Sequence, residues 1–327
     1  MIACRTRVES WEMIEPFEIA REVITHQPVL MLTLTDVQGR VGSAEAAGVD
    51  YAGESPLGMA AQIAAISHRL HEAITGRDLL ALLPAGGARN ALDCALWDLR
   101  AKQTGQHVWQ SAGLPALLPV TTAFTIGLGD EAATRRKARQ ARPYEWLKLK
   151  VDAQRHLDVV RMVREEHPSA RLMVDANGSW SLSLLQALLA PLADAGVELI
   201  EQPLRHEDDA LLDGFTSPIP LAADESCTDR SSLPAMEGRY QLINIKLDKC
   251  GGLTEGLAMV QDARQRGLGL MVGNMCGTSL AMAPAFLLAQ SCQFVDLDGP
   301  LLQKLDRASP MVYRNGVVQP PAATLWG

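Results

Sequence analysis

The chain has 327 residues, 47% hydrophobic and 21% charged, which is the composition of a soluble globular protein with room for one large barrel plus a smaller domain, or for two ordinary domains. Its 30 Lys and Arg against 38 Asp and Glu give a net charge of −8 without a basic cluster, so nucleic acid and anionic membrane surfaces are excluded as main partners, but a small anionic substrate is not. The first residues carry no apolar signal-peptide core and no run approaches the length of a membrane span, so a cytoplasmic location is expected, with the six scattered cysteines as buried thiols.

In chain order, Val29–Thr35 is a strand candidate, and Asp36-Val37-Gln38-Gly39-Arg40 is a turn into a second short strand, together a hairpin. Two helical stretches follow, around Gly58–Ile74 and Ala88–Gln103; in the second, Ala91, Leu92, Ala95, Leu96 and Leu99 recur at helical spacing and form a packing stripe. From about Val120 the pattern becomes a regular alternation of short apolar strands and amphipathic helices. The expected strands are Val120–Gly127, Trp146–Lys150, Leu172–Asp175, Glu198–Glu201, Leu221–Asp224, Leu242–Lys246, Leu268–Val272 and Phe294–Asp298. Eight such strands in one run indicate a closed parallel (β/α) barrel of the TIM type, and no Gly-rich phosphate loop follows any of them.

The C-terminal ends of barrel strands are where catalytic groups collect, and here those ends are charged. Strands three, four and five end in Asp175, Glu201 and Asp224. A single acid in such a place more often caps the next helix. Three on consecutive strands, with neighbouring strands about 4.8 Å apart, can converge on one ion, and all-oxygen ligation suits Mg²⁺, or Mn²⁺, over zinc.

Strand two ends Lys148-Leu149-Lys150 and strand six in Lys246. Residues two apart on a strand point the same way, and strands two and six face each other across a ring of eight. A substrate between them would have an ammonium group on either side. Like charge from Lys148 and from a divalent cation should favour a neutral Lys150, which can act as a base while the opposite lysine acts as an acid. That pair inverts a stereocentre by 1,1-proton transfer at a carbon next to a carboxylate.

These residues lie in motifs that resemble the enolase superfamily, specifically its muconate-lactonising subgroup: Leu147-Lys148-Leu149-Lys150, Val174-Asp175-Ala176-Asn177, Ile200-Glu201-Gln202-Pro203, Ala223-Asp224-Glu225-Ser226 and Asn244 through Gly252. A lysine base with Mg²⁺ is a known arrangement of that superfamily. The resemblance covers essentially the whole chain. It implies an α+β capping domain over the barrel mouth, at residues 1–115, a catalytic barrel at 116–327, and a C-terminal tail packed back on the cap.

Within the subgroup the resemblance is to dipeptide epimerases. It implies that Asp296 and Asp298, at the end of strand eight, hold the α-ammonium of a dipeptide. In the capping segment, Arg21 would receive a side-chain carboxylate as a bidentate fork, which makes L-Ala-D/L-Glu the expected substrate. Sibling activities (N-succinylamino acid racemase, o-succinylbenzoate synthase, muconate cycloisomerase) would use the same lysines and metal without needing the Asp296/Asp298 pair. Where many subgroup members have a Glu at the end of strand seven, this chain reads Gly273-Asn274-Met275-Cys276-Gly277. A homo-oligomer is compatible with the pattern.

Overall fold

A computed structural model describes residues 1–327. The chain opens with an antiparallel sheet of β1 (Ala3–Glu18), β2 (Val23–Thr35) and β3 (Val41–Ala46), in that order. The expected hairpin is its β2–β3 part, and β1 adds a sixteen-residue strand beyond it. β1 is an edge strand exposed along most of its first half, so it carries little apolar alternation to detect. Its register with β2 slips between Glu12 and Phe17, at Pro16, which has no N–H for the ladder.

The single helix expected over 58–74 is not formed. α1 (Pro56–Ile66), capped by Ser55, stops and gives way to a 3₁₀ turn at Ser67–Arg69, and α2 (Gly76–Leu82) starts afresh with a Thr75/Asp78 capping box. Tertiary contacts decide the break: the Leu70 carbonyl accepts the Ile2 N–H at 3.0 Å, and Leu70 and Ile74 turn into the core. α3 (Gly87–Thr104) lies across the sheet so closely that a Cβ on Gly42 would sit 2.3 Å from the Ala95 carbonyl oxygen. A short α4 (Val108–Ser111) leads towards the barrel.

β4 (Val120–Thr121) and β5 (Ala123–Ile126) replace the single first strand expected over 120–127. The barrel is β5, β6 (Trp146–Lys150), β7 (Arg171–Asp175), β8 (Val197–Glu201), β9 (Leu221–Ala223), β10 (Leu242–Ile245), β11 (Gly269–Val272) and β12 (Phe294–Val295), all parallel and in sequential order. Around it run α5 (Glu131–Gln140), α6 (Leu157–Glu166), α7 (Leu182–Asp194), α8 (Leu233–Met236), α9 (Leu247–Cys250), α10 (Leu253–Gln265) and α11 (Ser279–Ala289). β13 (Tyr313–Arg314) and β14 (Val317–Val318) turn through Asn315-Gly316, both at positive φ, and β14 pairs with β4.

Side chains close the seam between β5 and β12. Thr122 Oγ1 accepts the Leu297 N–H at 2.8 Å, and Asp298 Oδ2 accepts the Thr125 N–H at 2.6 Å. The barrel floor is an apolar layer with one residue from each strand: Ala123, Trp146, Met173, Leu199, Ala222, Leu242, Met271 and Phe294, with Trp146 and Phe294 packed edge to face. Cap and barrel share one continuous hydrophobic core. Polar contacts cross the same boundary: Arg89 donates to the Cys250 and Gly251 carbonyls, Asp93 accepts the Thr254 N–H at the start of α10, and Asp248 accepts the Gly48 N–H. At the C-terminus, Trp326 Nε1 donates to the Cys94 carbonyl in α3. No helix is long and apolar enough to cross a membrane, and all six cysteines are free.

Candidate active site

Counting in twos up each strand from the apolar floor leads to the mouth. Trp146 is followed by Lys148 and Lys150, Met173 by Asp175, Leu199 by Glu201, Ala222 by Asp224, Leu242 by Asn244 and Lys246, and Phe294 by Asp296 and Asp298. Alternation of Cβ directions sends each of these towards the barrel axis. β10 ends at Ile245, one residue earlier than expected, but Lys246 keeps an extended backbone and so keeps the alternation. All are buried.

The carboxylates of Asp175, Glu201 and Asp224 lie within 4.8 Å of one another. Asn244 Nδ2 donates to Glu201 Oε1 at 2.9 Å, while the buried Glu201 Oε2 has no hydrogen bond, its 2.8 Å approach to Lys148 Nζ being poorly aligned for one. A buried oxygen without a hydrogen bond, in an all-oxygen donor set of three converging acids, fits a hard divalent cation. Burial first, then the neighbouring Asp175, pushes the Glu201 carboxyl up to about 7. Asp175 and Asp224 go the other way: burial opposes their ionisation, but Lys148 and Lys150 outweigh it at Asp175, and Lys246 and Lys249 at Asp224.

The lysines divide by depth. Lys148 is enclosed, 3.0 Å from Asp175, 2.8 Å from Glu201 and 2.8 Å from Asp296. Burial alone would favour its neutral form, but those acids hold it well above the usual lysine range. Lys150 and Lys246 instead line one mouth cavity of about 360 Å³, reached between cap and barrel. Lys150 Nζ donates to Asp175 Oδ2 at 2.6 Å and to Asn177 Oδ1 at 3.1 Å, and Lys246 Nζ donates to Asp224 Oδ2 at 2.6 Å. At Lys246 burial again works downwards, and Asp224 overrides it.

Arg21, from the turn between β1 and β2, lines this cavity too, with its guanidinium 4.7 Å from the centre of the Tyr51 ring and 2.6 Å from Glu225. Asp296 and Asp298 do not line it. Asp296 Oδ2 accepts from Lys148, and Asp298 holds the β5 seam, with burial and Asp296 pushing its carboxyl up to about 7. Glu54 of the capping domain does line the cavity, and its carboxylate accepts the Gly87 N–H at the start of α3.

Several site residues escape a reading confined to charged strand ends. Asn244 is the next inward position above Leu242, a signal that the period of two could have supplied. Lys249, wholly buried, donates to Asp224 Oδ1 at 2.6 Å and to the Asn244 carbonyl at 3.0 Å. Gln202 bridges two strand ends: its Oε1 accepts the Asp224 and Ser226 N–H groups while its Nε2 donates to Leu204 O and Tyr240 Oη. Gln202, next after Glu201, and Asn177, two residues after Asp175, hold positive φ of 36° and 43°, strain of the kind that collects at functional sites.

A parallel barrel under an α+β cap, with acids and lysines meeting at its C-terminal mouth, defines a metal-assisted proton-transfer scaffold. Residues 1–113 match the mandelate racemase/muconate lactonizing enzyme N-terminal domain, and residues 129–324 match the enolase C-terminal domain-like family. The chain belongs to this family of the enolase superfamily. Among its relatives, the L-Ala-D/L-Glu epimerase of Escherichia coli (strain K12) is 41% identical over 94% of this chain and 96% of its own. The N-acetyl-D-glutamate racemase of a Pseudoalteromonas species is 42% identical over 76% of this chain and 79% of its own. A crystal structure of an enolase family member from Agrobacterium tumefaciens with homology to dipeptide epimerases, with bound sodium and L-Ala-L-Glu, superposes with a TM-score of 0.96 at 39% identity, covering both chains fully.

Proposed function

We propose that this protein is an isomerase that epimerises dipeptides, with L-Ala-D/L-Glu as its substrate, by moving the α-proton of the C-terminal residue between Lys150 and Lys246. The observation that carries this reading is that the two lysines, from β6 and the end of β10, line a single cavity above three buried acids. One lysine removes the α-proton and the other returns a proton to the opposite face of the planar enolate. Asp175, Glu201 and Asp224 would hold Mg²⁺, with Mn²⁺ suiting the same oxygen donors, and Asn244 and Lys249 orient Glu201 and Asp224. When bound, the ion holds the substrate carboxylate and offsets the second negative charge that develops on it. Lys148, kept cationic by its acids, adds positive charge beneath the same carboxylate. Arg21 receives the glutamate side chain, and Asp296 with Asp298 would receive the free α-ammonium only by giving up part of their contacts to Lys148 and the Thr125 N–H; a homo-oligomer is compatible with this arrangement.

The second reading is racemisation of an N-acylated amino acid by the same lysines. Two observations favour it: the similarity to an N-acetyl-D-glutamate racemase, and the engagement of Asp296 and Asp298 in contacts within the barrel. Proton NMR in D₂O with Mg²⁺ separates the two. Exchange and inversion at the glutamate α-carbon of L-Ala-L-Glu, abolished by EDTA and at least about tenfold weaker in metal affinity for Glu201→Gln, is the expected result. Faster exchange of N-acetyl-L-glutamate would replace the dipeptide reading, and undiminished Mg²⁺ affinity in Glu201→Gln would remove the metal assignment.

A further inference from the structure

Arg21 has one cationic edge to offer a substrate carboxylate, and the structure shows what fixes the rest of it. Its Nη1 donates to Glu225 Oε1 at 2.6 Å, and the Tyr51 ring covers one face of the guanidinium. Glu225 follows Asp224 at the end of β9, so the contact ties a cap turn to the barrel. Its side chain is only 8% exposed, against 34% for Arg21, and its Oε2 is buried without a partner. Oε1 is shared: Asn177 Nδ2 also donates to it, at 3.1 Å, and the other end of that amide accepts from Lys150. Glu225 itself does not line the cavity, whereas Arg21, Tyr51, Asn177 and Lys150 all do.

We infer that Glu225 is a positioning residue for substrate specificity: by holding Nη1 it aims the free edge of the Arg21 guanidinium into the cavity and so sets the preference for dipeptides with an acidic C-terminal residue. The inference rests on the reading of Arg21 as the carboxylate receptor. An arginine on a surface turn spends rotamer freedom on every directed contact. A buried carboxylate that fixes one edge removes that cost before the substrate arrives. The five N–H groups of a guanidinium allow two carboxylates to be served at once, Glu225 on one side and the substrate on the other. The negative charge of Glu225 repels a substrate carboxylate, so the alternative is that it masks Arg21; the two roles predict opposite changes.

The experiment measures kcat and KM for L-Ala-L-Glu and for the uncharged, similarly sized L-Ala-L-Met, in the parent, Arg21→Met, Glu225→Ala, Glu225→Gln and the Arg21→Met/Glu225→Ala double variant. Glu225→Ala should lower the L-Ala-L-Glu over L-Ala-L-Met ratio of kcat/KM about tenfold, with the change in KM for the acidic dipeptide. Glu225→Gln, whose amide oxygen still accepts from Arg21, should recover part of that loss, and Glu225→Ala should add nothing in the Arg21→Met background. A parent-like ratio in Glu225→Ala beside a collapsed ratio in Arg21→Met overturns the inference and leaves Arg21 standing. A raised ratio assigns masking instead, and an equal fall of kcat on both substrates assigns Glu225 to Lys150 through Asn177. An unchanged ratio in Arg21→Met removes the Arg21 reading and the inference with it.

Discussion

Lys150 and Lys246 differ in what holds them. Lys150 is shared between Asp175 and the amide of Asn177, and Lys246 is paired with Asp224 alone. Both line the cavity, from strands that face each other across the barrel, so in the proposed reaction each epimer would present its α-proton to only one of them. Interconversion needs both an acid and a base. Lys150→Ala and Lys246→Ala should therefore each lose epimerisation while each still exchanges the α-proton of one epimer with solvent deuterium, a different epimer in each variant. Lys148, paired with three acids and lying beneath the cavity without lining it, should impair both directions when removed. Proton NMR of each epimer in D₂O reads this directly. Epimerisation at the parent rate in Lys246→Ala would rule out a two-base mechanism. The place of these lysines at the barrel mouth was legible in the sequence because charge at a strand end is conspicuous. Asn177, Gln202 and Asn244 were not, since neutral amides look like any loop residue until their hydrogen bonds are seen.

At the scale of elements, the site depends on the layer beneath it. Leu199 lies one inward step below Glu201, surrounded in the floor by Met173, Ala222 and their neighbours, and is fully buried. Truncating it removes apolar contacts and leaves a void that a closed ring of strands relaxes only partly. Leu199→Ala should cost about 3 kcal/mol in urea unfolding. Loss of well under about 1 kcal/mol would mean that the floor does not carry the packing assigned to it. The strand-by-strand rhythm of this barrel was legible because most of its strands run from an apolar stretch to a polar residue at or just past their end. The cap was less so. β1 is an exposed edge, and the break between α1 and α2 is made by contacts from Ile2 that local periodicity does not contain. The shortness of β12 has a similar origin, since the seam beyond Val295 is closed by Thr122 and Asp298 side chains rather than by a ladder.

Over the whole molecule, the boundary between cap and barrel is sealed by ionisable groups taken out of water. Asp248, in α9 just after Lys246, accepts the Gly48 N–H at 2.9 Å, and burial pushes its carboxyl from 3.8 up to about 7, with Glu54 and Glu45 adding to the rise. Asp93 in α3 is pushed up to about 6, again by burial first, although its hydrogen bonds from Thr254 pull the other way. An acid with a raised native pKa binds its proton more tightly when folded. The stability it contributes is fully present below the unfolded value of 3.8 and is lost as pH rises through about 7 for Asp248. The loss from Asp248 is on the order of a few kcal/mol at most. Acids with lowered native pKa, such as Asp36 and Asp152, contribute in the opposite sense, but their changes fall at the acid end. Asp248→Asn isolates the effect. The amide oxygen can keep the Gly48 N–H, and any hydrogen bond lost to the exchange is lost equally at all pH. Between pH 5 and pH 8, urea unfolding in EDTA should show the parent losing stability relative to Asp248→Asn. EDTA keeps metal binding from adding its own proton linkage. Equal slopes in the two proteins would show that Asp248 is ionised in the native state throughout, with the cap–barrel boundary wetter than its burial indicates.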